Sequence, residues 1–143
     1  MSRREKMRAF IDTSSLFKKY VEEEGSDEFQ GLLEKVSEIV VSPVCWIEIH
    51  AIIFRLVHEK KMSMTQAEWL QREIRKDFDF FSKVIWGADL EREAVGWVKK
   101  NALKTLDAVQ LASGYLAKTD LFITSDQRLF NVAKRILKGV HFI

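Results

Sequence analysis

The sequence predicts an α/β protein, a three-layer α/β/α sandwich around a central, mostly parallel sheet. Three observations carry that reading. Short apolar or β-branched runs recur at residues 7–11, 39–41, 84–86, 121–124 and 140–143. Segments with the apolar spacing of helices separate most of them. The chain has 143 residues, 47% of them hydrophobic and 31% charged, and with Gly 6 and Pro 1 it has no linker-like stretch, so it reads as one globular domain. Strands that alternate with helices pair in parallel, because each return crossing consumes about the length of a helix.

Each element follows from local residues. Met7-Arg8-Ala9-Phe10-Ile11 is an apolar first strand that stops at Asp12. Asp12-Thr13-Ser14-Ser15 offers N-cap side chains for a helix to about residue 24, with Leu16, Phe17, Tyr20 and Val21 on its apolar face. Gly25-Ser26 ends it, and Ser26 caps a second helix that buries Phe29, Leu32, Leu33 and Val36. Ile39-Val40-Val41 is the second strand, and Pro43 suits the first turn of a very apolar helix over about 43–61. Thr65-Gln66-Ala67-Glu68 fits a capping box. The helix it opens, about 65–81, buries Trp69, Leu70, Ile74, Phe78 and Phe81 and groups Arg72, Arg75 and Lys76 on another side. Val84-Ile85-Trp86 is a brief third strand; Asp89 caps a helix to about residue 100, and Thr105 caps the next. Residues 121–124 form the fourth strand, Ser125-Asp126 opens the last helix with Gly139 as its C′ residue, and residues 140–143 form the fifth strand.

Charge is unevenly spread. The formal net charge is +2, but residues 1–8 carry +3, residues 9–98 carry −6 and residues 99–143 carry +5, an acidic body with basic ends. Cys45 is the single cysteine, which excludes an intramolecular disulfide and a multi-cysteine zinc site and fits a reducing cytoplasm. No apolar run approaches the roughly 18–20 residues of a membrane span, and the basic start lacks an apolar signal core, so a cytoplasmic protein without a membrane partner is expected.

Sites in open parallel sheets form outside the carboxyl ends of the strands. Four acids meet that description. Asp12 closes the first strand, Glu48 lies in the first turns of the helix after the second, Asp107 lies near the start of the helix before the fourth, and Asp126 follows the fourth. Asp12 and Asp126 are also ordinary helix caps. Glu48 and Asp107 sit in apolar surroundings, Trp46-Ile47-Glu48-Ile49 and Leu106-Asp107-Ala108-Val109, where a carboxylate needs a partner. Four carboxylates at one sheet edge resist ionising beside each other, and a divalent cation relieves that. Oxygen donors without nearby His or Cys favour Mg²⁺ or Mn²⁺ over zinc.

The segments Phe10-Ile11-Asp12-Thr13-Ser14-Ser15-Leu16, Leu106-Asp107-Ala108-Val109-Gln110-Leu111-Ala112 and Thr124-Ser125-Asp126-Gln127-Arg128-Leu129, with Glu48 on the helix between them, resemble those of PIN-domain proteins, most of all the VapC-type toxin ribonucleases. The likeness spans residues 7–143, a single nuclease domain; residues 1–6 stand before it as a basic N-terminal extension, since such proteins commonly begin just before the first strand. The resemblance implies metal-dependent hydrolysis of RNA phosphodiester bonds, with Asp12 and Asp107 as direct ligands of Mg²⁺ or Mn²⁺ and Glu48 and Asp126 completing the acidic pocket. Ser14 and Thr124 match positions that support the pocket by hydrogen bonds. A cognate antitoxin and a homodimer are implied partners, with the helices over 43–61 and 65–81 as candidate surfaces.

An acidic pocket has the wrong sign for RNA, so basic groups must hold the backbone at its rim. Lys99, Lys100 and Lys104 precede Asp107, and Arg128, Lys134 and Arg135 follow Asp126; these are the candidate RNA contacts, with Lys99, Lys100, Lys104 and Arg128 foremost. His50, His58 and His141 lack a ligand motif, Cys45 reads as a small buried hydrophobe, and Trp46, Trp69, Trp86 and Trp97 read as core or interface. A haloacid-dehalogenase-like phosphatase needs a second Asp where Ser14 stands, and a receiver domain needs an acidic pair where Thr13 follows Asp12. The remaining alternatives are a housekeeping RNA-processing nuclease of the same family and a non-catalytic interaction module whose acids merely cap helices.

Overall fold

Side chains along β1 (Arg8–Ile11) alternate between two cores, as the period of two in a strand requires. Ala9 and Ile11 pack on one face with Leu16, Phe29, Ile49 and Ile74. Phe10 packs on the other with Leu103, Leu111, Leu129 and Phe122, whose ring stacks on that of Phe10 at 5.1 Å. A strand buried on both faces belongs to the middle layer of a three-layer sandwich, and that is the architecture.

The computed structural model describes residues 7–143; the basic extension expected at residues 1–6 lies outside the described residues. β1 is followed by a short helix α1 (Thr13–Leu16) and a 3₁₀ turn (Phe17–Lys19), then α2 (Ser26–Leu33), β2 (Glu38–Val41), α3 (Cys45–His58), α4 (Met64–Phe78), β3 (Ser82–Lys83), α5 (Ala88–Asn101), α6 (Thr105–Ala117), β4 (Leu121–Thr124), α7 (Gln127–Ala133) and β5 (Val140–Phe142). The sheet order is β3-β2-β1-β4-β5 and every pairing is parallel. α1 to α4 cover one face and α5 to α7 the other. The chain builds outward from β1 on one side, then crosses over to add β4 and β5 on the other. The switch point therefore lies between β1 and β4, where ligand crevices open in sheets of this type.

Several local expectations needed correction. The helix expected to residue 24 gives way to the 3₁₀ turn after Leu16, and Gly25, not Ser26, takes the N-cap position of α2. Ser26 Oγ instead closes the loop before α2, accepting from the Glu23 amide at 2.9 Å and donating to the Val21 carbonyl at 3.3 Å. The capping box is Ser63 with Gln66, the same pattern two residues upstream of Thr65 and Glu68. β3 is Ser82–Lys83 rather than 84–86, and Ile85 is 85% exposed. Gly87 takes the N-cap position of α5 and Lys104 that of α6, where Asp89 and Thr105 were expected. Gly139 is no helix C′ residue, because α7 ends at Ala133. A side chain there would put its Cβ 2.4 Å from the Asp120 carbonyl oxygen, so close backbone approach beside β4 requires the glycine. Trp69 is exposed, against its expected burial on the helix, and Trp86, expected in core or interface, is exposed and so not in the core.

Candidate active site

Two of the four acids end strands at the switch point, and they behave differently. Asp12 occupies the N-cap position of α1 but makes no capping bond with its side chain. Its Oδ2 accepts instead from Thr124 Oγ1 at 2.8 Å and Ser14 Oγ at 3.0 Å, and the residue is only 7% exposed. Capping does not explain Asp12. Asp126 does cap α7, its Oδ1 accepting from the Leu129 amide at 3.0 Å. The Thr124 hydroxyl also accepts from the Asp126 amide at 3.0 Å, so one side-chain oxygen ties the two acids together.

The other two acids come from helix starts on opposite faces of the sheet. Glu48, in the first turn of α3, accepts at Oε1 from Thr13 Oγ1 at 3.0 Å and Gln110 Nε2 at 2.6 Å. Gln110 Nε2 also reaches Thr13 Oγ1 at 3.2 Å, closing a triangle. Asp107, in the first turn of α6, is half-buried. Thr13 and Gln110 are functional-site residues that inspection of the acids alone misses. The available signal was spacing: Gln110 lies three residues after Asp107, on the same side of α6. Ser15 and Ser125 hydroxyls pair at 2.7 Å beneath the site and bind its two strand-end loops.

Electrostatics link all four acids. Burial is the largest cause raising the carboxyl of Asp12, and the Asp126 charge adds to it while the Thr124 and Ser14 hydrogen bonds oppose it. Burial likewise raises Glu48, with further contributions from Asp12 and Asp107. Burial and Asp126 raise Asp107, opposed by the charges of Lys104 and Arg128. Among the described residues, no three His, Cys, Asp or Glu side chains already stand around one point as a finished cation cage. The donor chemistry nonetheless fits a hard divalent cation: the four acids offer carboxylate oxygen, and burial, with the neighbouring carboxylates, makes Asp12, Glu48 and Asp107 resist ionising.

Lys104 and Arg128 are thus brought to the acids. Lys99 and Lys100 lie farther along, in the last turn of α5, where Lys100 Nζ sits 5.4 Å from the Trp97 ring centre. Cys45 is fully buried beside the site, and burial pushes its thiol up to about 12, which fits an inert hydrophobe and not a nucleophile. His50 Nδ1 bonds the Trp46 carbonyl at 2.7 Å, turned away from Glu48. His141 pairs with Glu28 at 2.9 Å.

Residues 9–135 match the PIN domain. The chain belongs to the PIN-domain family. Members of this family are typically metal-dependent nucleases, and Asp12 and Asp126 of this PIN domain follow the two strands that flank its switch point. No curated protein matches it by sequence. Solved structures share its fold at low identity. A toxin–antitoxin complex from Klebsiella pneumoniae is 19% identical over 94% of this chain and 99% of its own, with a TM-score of 0.66. The sarcin–ricin-loop-cleaving toxin VapC20 of Mycobacterium tuberculosis is 17% identical over 87% of this chain and 94% of its own, with a TM-score of 0.68. VapBC2 of Rickettsia felis, bound to a DNA fragment from its promoter, is 12% identical over 96% and 99%, with a TM-score of 0.66. Among the described residues, no helix is long and apolar enough to cross a membrane.

Proposed function

We propose that this PIN domain is a Mg²⁺- or Mn²⁺-dependent endoribonuclease acting in the cytoplasm, and the toxin of a toxin–antitoxin pair. The observation that carries the reading is the joint placement of Asp12, Glu48, Asp107 and Asp126. They come from four separate elements and converge at the switch point, and three of them are raised by burial and by one another. Helix capping accounts for Asp126 but offers no reason for the other three to share a crevice. Asp12 and Asp107 would hold the cation, with Glu48 and Asp126 completing its surroundings. When bound, a divalent cation supplies the charge that admits a phosphate among carboxylates and makes a water acidic enough to attack it. Thr124 and Ser14 hold Asp12 in one orientation, and Thr13 and Gln110 do the same for Glu48. Lys104 and Arg128 face the incoming phosphodiester backbone, with Lys99 and Lys100 behind them.

The catalytic unit is the domain over residues 7–143. Apolar surface for a partner protein is available on α5, where Val95 and Val98, three residues apart, are both exposed. A homodimer and a cognate antitoxin are the proposed occupants of such surfaces. The decisive experiment maps cleavage sites on total RNA with and without Mg²⁺, using the wild type and Asp107→Asn. Discrete Mg²⁺-dependent cuts that vanish in the variant are expected. Cuts that survive Asp107→Asn, or that need no divalent cation, would overturn the assignment.

A further inference from the structure

Lys104 and Arg128 bring positive charge to the acid cluster at Asp107. A second cationic feature lies across α3. Trp46 and His50 on α3 and Glu68, Gln71, Arg72 and Arg75 on α4 line a pocket of about 290 Å³. Arg72 and Arg75 are exposed, and among the described residues neither enters an ion pair or a side-chain cation–π contact. Lys83, on the edge strand β3, is not in the wall but stands near it, its Nζ 6.0 Å from the Trp46 ring centre and 5.3 Å from that of Phe78. Glu68 is the one carboxylate in the wall. Two arginines opening into one polar pocket suit a phosphate, whose oxygens match the guanidinium fork.

Position indicates which phosphate. Successive helical residues are turned by about 100°, so Trp46 and Glu48 project from opposite sides of α3, with Ile47 between them. Ile47 is 70% exposed, so the surface joining pocket and crevice is open. The separation is about one helix width, roughly 10 Å, within reach of a short length of single strand. We propose that the α3–α4 pocket binds a backbone phosphate of the RNA strand outside the scissile position, Arg72 and Arg75 being its ligands. The proposal rests on the nuclease reading. It gives the strand a path from Lys104 and Arg128, past the acids and over Ile47, to the arginine pair.

The test measures binding of a short unstructured oligoribonucleotide to Asp107→Asn and to the same protein carrying Arg72→Ala and Arg75→Ala, as a function of salt. Loss of one phosphate contact predicts affinity about tenfold weaker whatever the sequence, and a slope of log affinity against log salt smaller by about 0.7. Arg72→Lys with Arg75→Lys keeps the charge, and so keeps the slope while losing part of the affinity. Unchanged affinity and slope in the alanine pair would remove the pocket from the RNA path while leaving the nuclease reading intact. Should the alanine pair lose a poly-glutamate peptide but not RNA, the pocket takes an acidic peptide instead. If Asp107→Asn does not bind the oligonucleotide even at low salt, the arginine pair is compared instead in the wild type with Ca²⁺ in place of Mg²⁺, and the same outcomes decide. If the alanine pair does not fold, methylphosphonate linkages in the oligonucleotide probe the same contact on the parent protein, and their having no effect on affinity counts against the pocket.

Discussion

The Thr124 hydroxyl donates to Asp12 and accepts from the Asp126 amide, so its removal disturbs two acids at once. Thr124→Val preserves shape and removes both bonds. We expect Mn²⁺ affinity to fall about 10- to 100-fold, as when other outer supports of metal ligands are lost, with about 1–3 kcal/mol of stability lost where the Asp126 amide is left unpaired. Calorimetric titration and urea unfolding check the two effects separately. Gln110→Leu makes the parallel test on the Glu48 side: RNA cleavage should drop while the fold survives, and an unchanged rate would reduce Gln110 to a core residue. The sequence singles out the four acids because they follow strands or stand near helix starts, and Ser14 and Thr124 through the family resemblance; both hydroxyls do bond to Asp12. Thr13 and Gln110 are not singled out, because their role depends on which helix Glu48 faces. That is a tertiary fact: the three-residue spacing from Asp107 puts Gln110 on the right side of α6 but does not say that Glu48 stands opposite it.

The strands were legible where a short apolar run meets a polar stop, as in Phe10-Ile11-Asp12 and Phe122-Ile123-Thr124. β3 was misplaced because β-branched and aromatic composition measures fit to a half-buried pleat, and Ile85 and Trp86 stand beyond the sheet's edge. The first helix was overextended because the apolar spacing of Tyr20 and Val21 serves packing after the helix has already ended. α6 shows how tightly its position is constrained. A Cβ at Gly114 would lie 2.5 Å from the Phe122 ring, which is itself stacked on Phe10. Gly114→Ala should therefore push α6 away from the sheet and cost about 1–3 kcal/mol. Asp107 and Gln110 ride on that helix, so metal affinity should fall along with stability. Chemical denaturation paired with Mn²⁺ titration tests this, and a variant that weakens neither would mean the ring simply moves aside.

For the whole molecule, the acid cluster sets the direction of pH dependence. Asp12, Glu48 and Asp107 hold protons in the folded state above their ordinary values of 3.8, 4.5 and 3.8. As pH rises above those values the unfolded chain has released its protons while the folded one still binds them, so metal-free stability falls through that window. Glu38 works in the opposite sense: its hydrogen bonds to Ser82 and Arg8 lower it, so its contribution is present above 4.5 and disappears as pH falls through the lowered value. Thermal melts of the metal-free protein should show Tm decreasing as pH is raised toward neutrality, and Mg²⁺ or Mn²⁺ reversing the decrease. Asp12→Asn should flatten the curve and raise the metal-free Tm at neutral pH, at about 2–4 °C per kcal/mol for a chain of this size. A wild-type Tm that climbs steadily to neutral pH without metal would contradict the electrostatic account.

The position of β4 also governs when the molecule can act. β1 lies at the centre of the sheet, yet its second neighbour is β4, whose Leu121–Thr124 backbone pairs with Ala9 to Ile11 more than a hundred residues earlier. During synthesis Asp12, Glu48 and Asp107 are all made before Thr124 and Asp126. Until β4 is inserted, β1 has an open edge, Asp12 lacks its hydroxyl partner, and the crevice has only one wall. At about 5–20 residues per second, the growing chain waits several seconds between making β1 and making the strand that closes its open edge. A message broken between the codons for residues 107 and 121, or a protease cut that releases the final strands, yields a fragment that carries three of the four acids without the strand that brings them together.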